Sequence, residues 1–157
     1  MRAAVLTVSD GVNAGTREDK SGDVLAERLE GSGFELVERR VVPDERDQIA
    51  AALREIAATA DLVITTGGTG FAPRDVTPEA TATVVERPTP GLDEAMRAFS
   101  ISKSPHGMLA RGRSGIVGRT LIVNMPGSPR ACSECYDVVA PALQHGLALL
   151  TETPTHH

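Results

Sequence analysis

Asp61-Leu62-Val63-Ile64-Thr65-Thr66-Gly67-Gly68-Thr69-Gly70-Phe71-Ala72-Pro73-Arg74-Asp75-Val76-Thr77-Pro78 is the stretch on which the fold turns. Its first part is short, apolar and β-branched, which predicts a strand buried on both faces. The glycines that follow lack Cβ atoms, so they can take positive φ angles and bring backbone N–H groups close to an anion. Arg74 and Asp75 come next, then Thr77-Pro78, which reads as a helix cap with proline at the first helical position. Strand, glycine loop, charged pair and helix start are the parts from which α/β proteins build a ligand site at the carboxyl end of a strand. Two better-known phosphate motifs fail here. Pro73 stands where the third glycine of G-x-G-x-x-G belongs, and Lys20-Ser21 follows Asp19 where the Walker pattern needs glycine.

Upstream, residues 3–8 read as a first buried strand ending at the polar turn Ser9-Asp10-Gly11. Residues 13–20 are polar and read as a mobile loop. A helix is expected from Ser21 or Gly22 to Glu30, with Gly31 to stop it. Residues 34–42 suggest a second strand, ended by Pro43-Asp44-Glu45. Either Asp44 or Asp47 can cap the next helix, in which Ile49, Leu53, Ile56 and Ala60 fall at the helical period.

Downstream, a helix from Pro78 to about Glu86 is broken by Pro88 and Pro90, and a second helical stretch starts at Gly91. Residues 100–115 look irregular. A short strand pair is expected at 115–117 and 120–124, around Gly118-Arg119. The turn Met125-Pro126-Gly127-Ser128-Pro129 then leads into a last helix over residues 130–150, with a kink or break at Pro141. Strands and helices alternate without repeats or long linkers. That predicts one domain over residues 1–150, a three-layer α/β/α sandwich with a mostly parallel central sheet, and a flexible tail at 151–157. In a parallel sheet all carboxyl ends share one edge, so Ser9-Asp10, Asp44, the Gly67–Gly70 loop and the 126–129 turn can converge.

Composition narrows the function. The chain has 157 residues, no Trp, one Tyr, three Phe and a net charge of −5. Its core must therefore be aliphatic, and a nucleic-acid partner is not expected without a basic face. A nucleotide remains compatible, because Mg²⁺ can bridge carboxylates and phosphates. No apolar run reaches the length of a membrane span and no signal peptide is legible, so a cytoplasmic location is expected. Cys132 and Cys135 share a helix face and read as structural. Thr155-His156-His157 reads as frayed tail, not a metal site.

Five motifs now stand in order: T-V-S-D-G at 7–11, V-P-D-E at 42–45, T-T-G-G-T-G-x-x-x-R-D-V-T-P-E-A at 65–80, P-G-L-D-E-A-M-R at 90–97 and I-V-N-M-P-G-S-P at 122–129. Together they resemble the MogA/MoaB family of molybdenum-cofactor biosynthesis, over nearly the whole chain. The resemblance implies adenylyl transfer from MgATP to the terminal phosphate of molybdopterin, with release of pyrophosphate. It also implies a homotrimer, or a hexamer of two trimers, and a downstream molybdate-insertion protein as partner. By the same resemblance Asp44 and Asp75 are the catalytic pair and hold Mg²⁺. Ser9, Asp10, Thr66, Gly67, Gly68, Thr69, Gly70, Glu94, Gly127 and Ser128 would bind substrates, although Glu94 equally suits subunit packing. From the residues alone, Asp44 also suits a helix cap, and Asp75 an ion pair with Arg74 or a turn. Gly11 and Ala110 depart from the pattern, and Gly127-Ser128-Pro129 leans toward the MoaB side. A non-catalytic, pterin-binding accessory protein is the alternative.

Overall fold

A computed structural model describes residues 1–153. Six strands form one sheet: β1 (Arg2–Val8), β2 (Glu35–Val42), β3 (Leu62–Thr66), β4 (Arg87–Pro88), β5 (Gly115–Val117) and β6 (Thr120–Met125). Their order is β2-β1-β3-β6-β5-β4. The first four in that order run parallel; β5 and β4 are antiparallel additions at one edge. The helices are α1 (Asp10–Asn13), α2 (Lys20–Gly31), α3 (Arg46–Ala57), α4 (Thr77–Val84), α5 (Pro90–Lys103) and α6 (Pro129–Leu150).

Strand alternation sorts the core into two layers. Ala3 and Val5 of β1, Leu62 and Ile64 of β3, and Leu121, Val123 and Met125 of β6 pack with α2 and α6. Ala4, Leu6 and Val8, Val63, and Ile122 face the other way, against α3 and α4. Both faces of the central strands are thus apolar, as helices on either side require. This is the expected three-layer α/β/α arrangement with a mostly parallel sheet.

From β1 the chain crosses to β2 on one side and then returns to place β3 on the other. The carboxyl ends of β1 and β3 therefore flank a topological switch point, where doubly wound sheets open a crevice. Buried polar groups stiffen this edge. Asn124 Nδ2 donates to Thr65 Oγ1 and Thr81 Oγ1, both at 3.0 Å, and its Oδ1 accepts the Arg113 N–H at 3.0 Å. No donor or acceptor of that amide is stranded, which is what makes its burial tolerable.

Several local expectations are corrected. Residues 13–20 are not simply a loop: α1 precedes them, and α2 starts at Lys20 because Asp19 caps it, accepting the Gly22 N–H at 3.1 Å. Asp19 also takes the Thr7 hydroxyl. Neither Asp44 nor Asp47 caps α3; its N-cap residue is Glu45, whose side chain makes no capping bond. Thr77 is the first residue of α4, not its cap. Helix α5 extends to Lys103 and a 3₁₀ turn (Pro105–Leu109) follows, so residues 100–115 are more regular than their polarity suggests. Pro88 does not exclude β4, since an edge strand tolerates a missing N–H. Helix α6 runs unbroken through Pro141. Pro141 and Asp137, whose carbonyl loses its helical donor, both lie on the exposed face, where water can replace the bond. Residues 151–153 close α6, Thr153 N–H donating to the Ala148 carbonyl at 2.8 Å. The tail reading of Thr155-His156-His157 falls outside the described residues.

Cys132 and Cys135 are unbridged and buried in the α2/α6 layer. Burial pushes the Cys132 thiol up to about 12, and its Sγ donates to the Pro126 carbonyl at 2.7 Å. A thiol held so far from its thiolate is inert. Neither cysteine should react with iodoacetamide in the folded protein at pH 8, and both should label in denaturant. Labelling of Cys132 at native conditions would contradict this packing.

Candidate functional site

A cavity of about 710 Å³ lies at the switch point. Its floor is the end of β1 (Thr7, Val8, Ser9) and of β3 (Thr66, Gly67, Gly68); Gly127, Ser128 and Pro129 close one side, and Arg17, Lys20 and Ser21 another. Asp44 and Asp75 both line it. Four strand ends thus contribute, as their parallel order dictates.

The glycine loop has the conformation its composition predicts. Gly67 and Gly68 have φ of +98° and +68°. A Cβ on Gly67 would lie 2.3 Å from the Val8 carbonyl oxygen, and one on Gly68 would lie 2.3 Å from Thr77 Oγ1. Only glycine fits either place. Thr77 pins the loop from below, its hydroxyl donating to the Gly67 carbonyl at 2.9 Å and its N–H to the Gly68 carbonyl at 3.1 Å. Thr66 Oγ1 donates to the Pro126 carbonyl at 2.8 Å, which ties the loop to the 126–129 turn. The amino ends of α2 and α6 open onto the same space, so partial positive charge from both helix dipoles joins Arg17 and Lys20 there.

The same cavity is also lined by carboxylates, Glu18, Asp44 and Asp75. Asp10 and Asp44 bond reciprocally: Asp10 N–H donates to Asp44 Oδ2 at 2.9 Å, and Asp44 N–H donates to Asp10 Oδ1 at 3.0 Å. Arg74 does not pair with Asp75. Its Nε and Nη2 donate to the two oxygens of Asp10 at 2.6 and 3.0 Å, and Nη2 also reaches Glu45 at 3.0 Å. The Arg74 guanidinium holds the Asp10 carboxyl below the usual range. Asp44 is pushed upward, first by burial and then by the negative charges of Asp10 and Asp75. Asp75 Oδ2 accepts the Ala72 N–H at 3.1 Å, which closes a tight turn. One oxygen each of Asp44 and Asp75 has no hydrogen-bond donor among the described residues.

Those two oxygens fit a hard divalent cation. Among the described residues no group of three or more His, Cys, Asp or Glu could hold a metal unaided. A cation here needs further oxygens from a ligand, the manner in which Mg²⁺ joins one or two carboxylates to phosphates.

The structure brings Ser9, Asp44, Thr66, Gly67, Gly68, Asp75, Gly127 and Ser128 together around one cavity. Asp10 does not line it; it stands behind Asp44. Gly70 lies at the loop's far side, where a Cβ would meet Asp75 Oδ2 at 2.9 Å. Thr69 lines a separate cavity of about 270 Å³, and Glu94 another of about 440 Å³ beside Arg97, Arg111 and Arg113. Arg17, Lys20 and Ser21 were not legible as site residues. The one available signal was Asp19 three residues before Gly22, a capping pattern that turns the start of α2 toward β1.

Fold and site define a doubly wound α/β domain whose cavity opens at the strand switch point and is lined by the Gly67-Gly68 turn and by the carboxylates of Asp44 and Asp75. The chain belongs to the family described as probable molybdopterin binding domain, whose model matches residues 4–145. Over 93% of this chain it is 40% identical to the molybdopterin adenylyltransferase of Helicobacter pylori, covering 85% of that protein. It is 41% identical, over 93% of its length, to the molybdenum cofactor synthesis protein cinnamon of Drosophila melanogaster, of which it spans only 25%. The crystal structure of the molybdopterin biosynthesis enzyme MoaB from Thermus thermophilus matches with a TM-score of 0.91 and 45% identity, covering 98% of each chain.

Because the folded-state pKa of Asp44 is raised, the native protein holds its proton longer than the unfolded chain. Its stabilising contribution is complete below the unfolded value near 4 and is lost as pH rises through the folded value. Asp44→Asn, which keeps an acceptor for the Asp10 N–H, should therefore raise the melting temperature at pH 7 without added cation. The gain should shrink toward pH 4. A lower melting temperature at pH 7 would show that burial and the neighbouring charges do not disfavour the ionised Asp44 carboxylate.

Proposed function

We propose that this chain transfers the adenylyl group of ATP to the terminal phosphate of molybdopterin. A phosphate oxygen of the pterin attacks the α-phosphorus; the bond from that phosphorus to the β-bridging oxygen breaks, and pyrophosphate leaves. The observation that carries this reading is the meeting, in one cavity, of the Gly67-Gly68 turn and Lys20 with two carboxylates that have free oxygens. Such transfers need positioning and charge stabilisation more than covalent help from the protein. The names of the relatives at about 40% identity support the same reaction.

The roles follow from position. The Gly68 backbone N–H, with Lys20 and the amino end of α2, holds phosphate oxygens; the Gly67 N–H is taken by the Met125 carbonyl at 3.2 Å, and Thr69 and Gly70 continue the loop away from the cavity. Ser9 and Thr66 border that subsite, and Gly127 and Ser128 serve the pterin side. Asp44 and Asp75 would hold Mg²⁺, which when bound offsets negative charge on the phosphates. Asp10 is a positioning residue, since it reaches the cavity only through Asp44. Glu94 lies outside the cavity and on α5, which suits subunit packing in a homotrimer or a hexamer of two trimers. A cytoplasmic location agrees with a phosphorylated substrate and with the lack, among the described residues, of any helix long and apolar enough to cross a membrane. The adenylylated product is activated for a separate molybdate-insertion protein.

Pyrophosphate release with molybdopterin and MgATP tests the reading. The wild-type chain should turn over, and both Asp75→Ala and Asp44→Asn should lose about a hundredfold or more in kcat. Tight pterin binding without turnover would move the chain to the accessory class, toward which its Gly127-Ser128-Pro129 turn leans. Full turnover in either variant would remove that carboxylate from the chemistry.

A further inference from the structure

The loop that carries Asp75 is held at two ends by different means. Its first end, Gly67-Gly68, is fixed by Thr77. Its second part, residues 71–74, is exposed, and the internal bonds there are confined to the short Ala72–Asp75 turn. Such a segment would move freely without an outside tether. Arg74 supplies one through the side chains of Asp10 and Glu45, and Arg111 supplies a second, on the main chain. Its backbone N–H donates to the Thr69 carbonyl at 2.9 Å, its Nε to the Gly70 carbonyl at 2.9 Å and its Nη2 to the Asp75 carbonyl at 2.8 Å; Nη1 pairs with Glu79.

The anchor is itself anchored. Arg97 on α5 donates from Nε to the Ala110 carbonyl at 3.0 Å and from Nη2 to the Gly112 carbonyl at 3.4 Å, on either side of Arg111. Asp93 accepts both the N–H and the hydroxyl of Ser114 at 2.7 Å, and Asn124 of β6 accepts the Arg113 N–H. A chain of short polar contacts thus runs from α5 and β6, through residues 110–114, to the main chain of Gly70 and Asp75. Arg111 does not line the large cavity; it lies behind the loop, with Glu79 and Arg97.

We propose that Arg111 is a positioning residue for the transfer reaction: its guanidinium joins the carbonyls of Gly70 and Asp75 and so sets where the Asp75 carboxylate meets the substrate phosphates. This inference rests on the adenylyl-transfer reading above. The planar fork is the reason for arginine here, because two donors at fixed separation bridge two carbonyls and a single ammonium does not.

The test uses the full chain with Arg111→Lys and Arg111→Ala, read by pyrophosphate release and by amide hydrogen exchange. Displacing a catalytic group by about 1 Å can cost about a hundredfold in rate. Both variants should therefore lose about tenfold to a hundredfold in kcat with little change in KM for molybdopterin. Exchange should quicken in residues 69–75 and stay slow in β3 and β6. Low-millimolar guanidinium chloride, against sodium chloride as control, should restore part of kcat to Arg111→Ala and none to Arg111→Lys, whose side chain fills the place. Wild-type kcat in Arg111→Lys, or exchange that quickens across the whole sheet, would overturn the positioning role. A wild-type chain that binds both substrates without releasing pyrophosphate defeats the underlying reading instead, and does so before any variant is compared.

Discussion

The site depends on how closely three strand ends can approach. Gly67 sits where any side chain would strike the Val8 carbonyl, and a Cβ on Gly127 would lie 3.3 Å from the Gly67 Cα. Those missing side chains let β1, β3 and β6 end almost in contact, so their backbone dipoles face one shared space. Thr66 and Thr77 then fix the glycines that would otherwise be mobile, and each does so from a buried position. A flexible residue type thereby becomes a rigid cradle, the preorganisation that electrostatic catalysis needs.

The chain is acidic, and its cavity holds both signs of charge close together. Arg17, Lys20 and two helix amino ends share the lining with Glu18, Asp44 and Asp75, and Asp10 adds its charge beside Asp44. Arg74 and Arg111 take the strain of these aspartates from different directions. Arg74 neutralises Asp10, which in turn orients Asp44; Arg111 holds the main chain that carries Asp75. Two arginines outside the cavity thus govern the two carboxylates inside it.

Much of this was legible in the residues. An apolar β-branched run marked β3 and a buried apolar stretch β1, while β2 rested on scattered apolar positions and β6 was legible only as one arm of a short strand pair; Gly-Gly-Thr-Gly marked the loop, because the positive φ angles of Gly67 and Gly68 can be met by little else. Asp44 and Asp75 were singled out through the family resemblance, and both line one cavity; from the residues alone a helix cap for Asp44 and an ion pair or turn for Asp75 stayed open. What the sequence hid were contacts between distant segments. Asp10 looked like a ligand by its place after β1, but its partners are 34 and 64 residues away. Arg111 lay in a stretch whose glycines and polar residues suggested irregular structure, because its order comes from Asp93, Arg97 and Asn124. Pro141 illustrates the opposite case: a local rule predicted a kink or a break, and α6 runs unbroken because the freed Asp137 carbonyl lies on an exposed face.

The most direct test of the central claim is a crystal structure of the chain with Mg²⁺ and α,β-methylene-ATP, whose α–β linkage cannot be cleaved. Phosphate oxygens should lie at the Gly68 amide beside Lys20, with electron density for one cation between Asp44 and Asp75. Phosphates bound instead beside Arg97, Arg111 and Arg113, with the switch-point cavity empty, would contradict it.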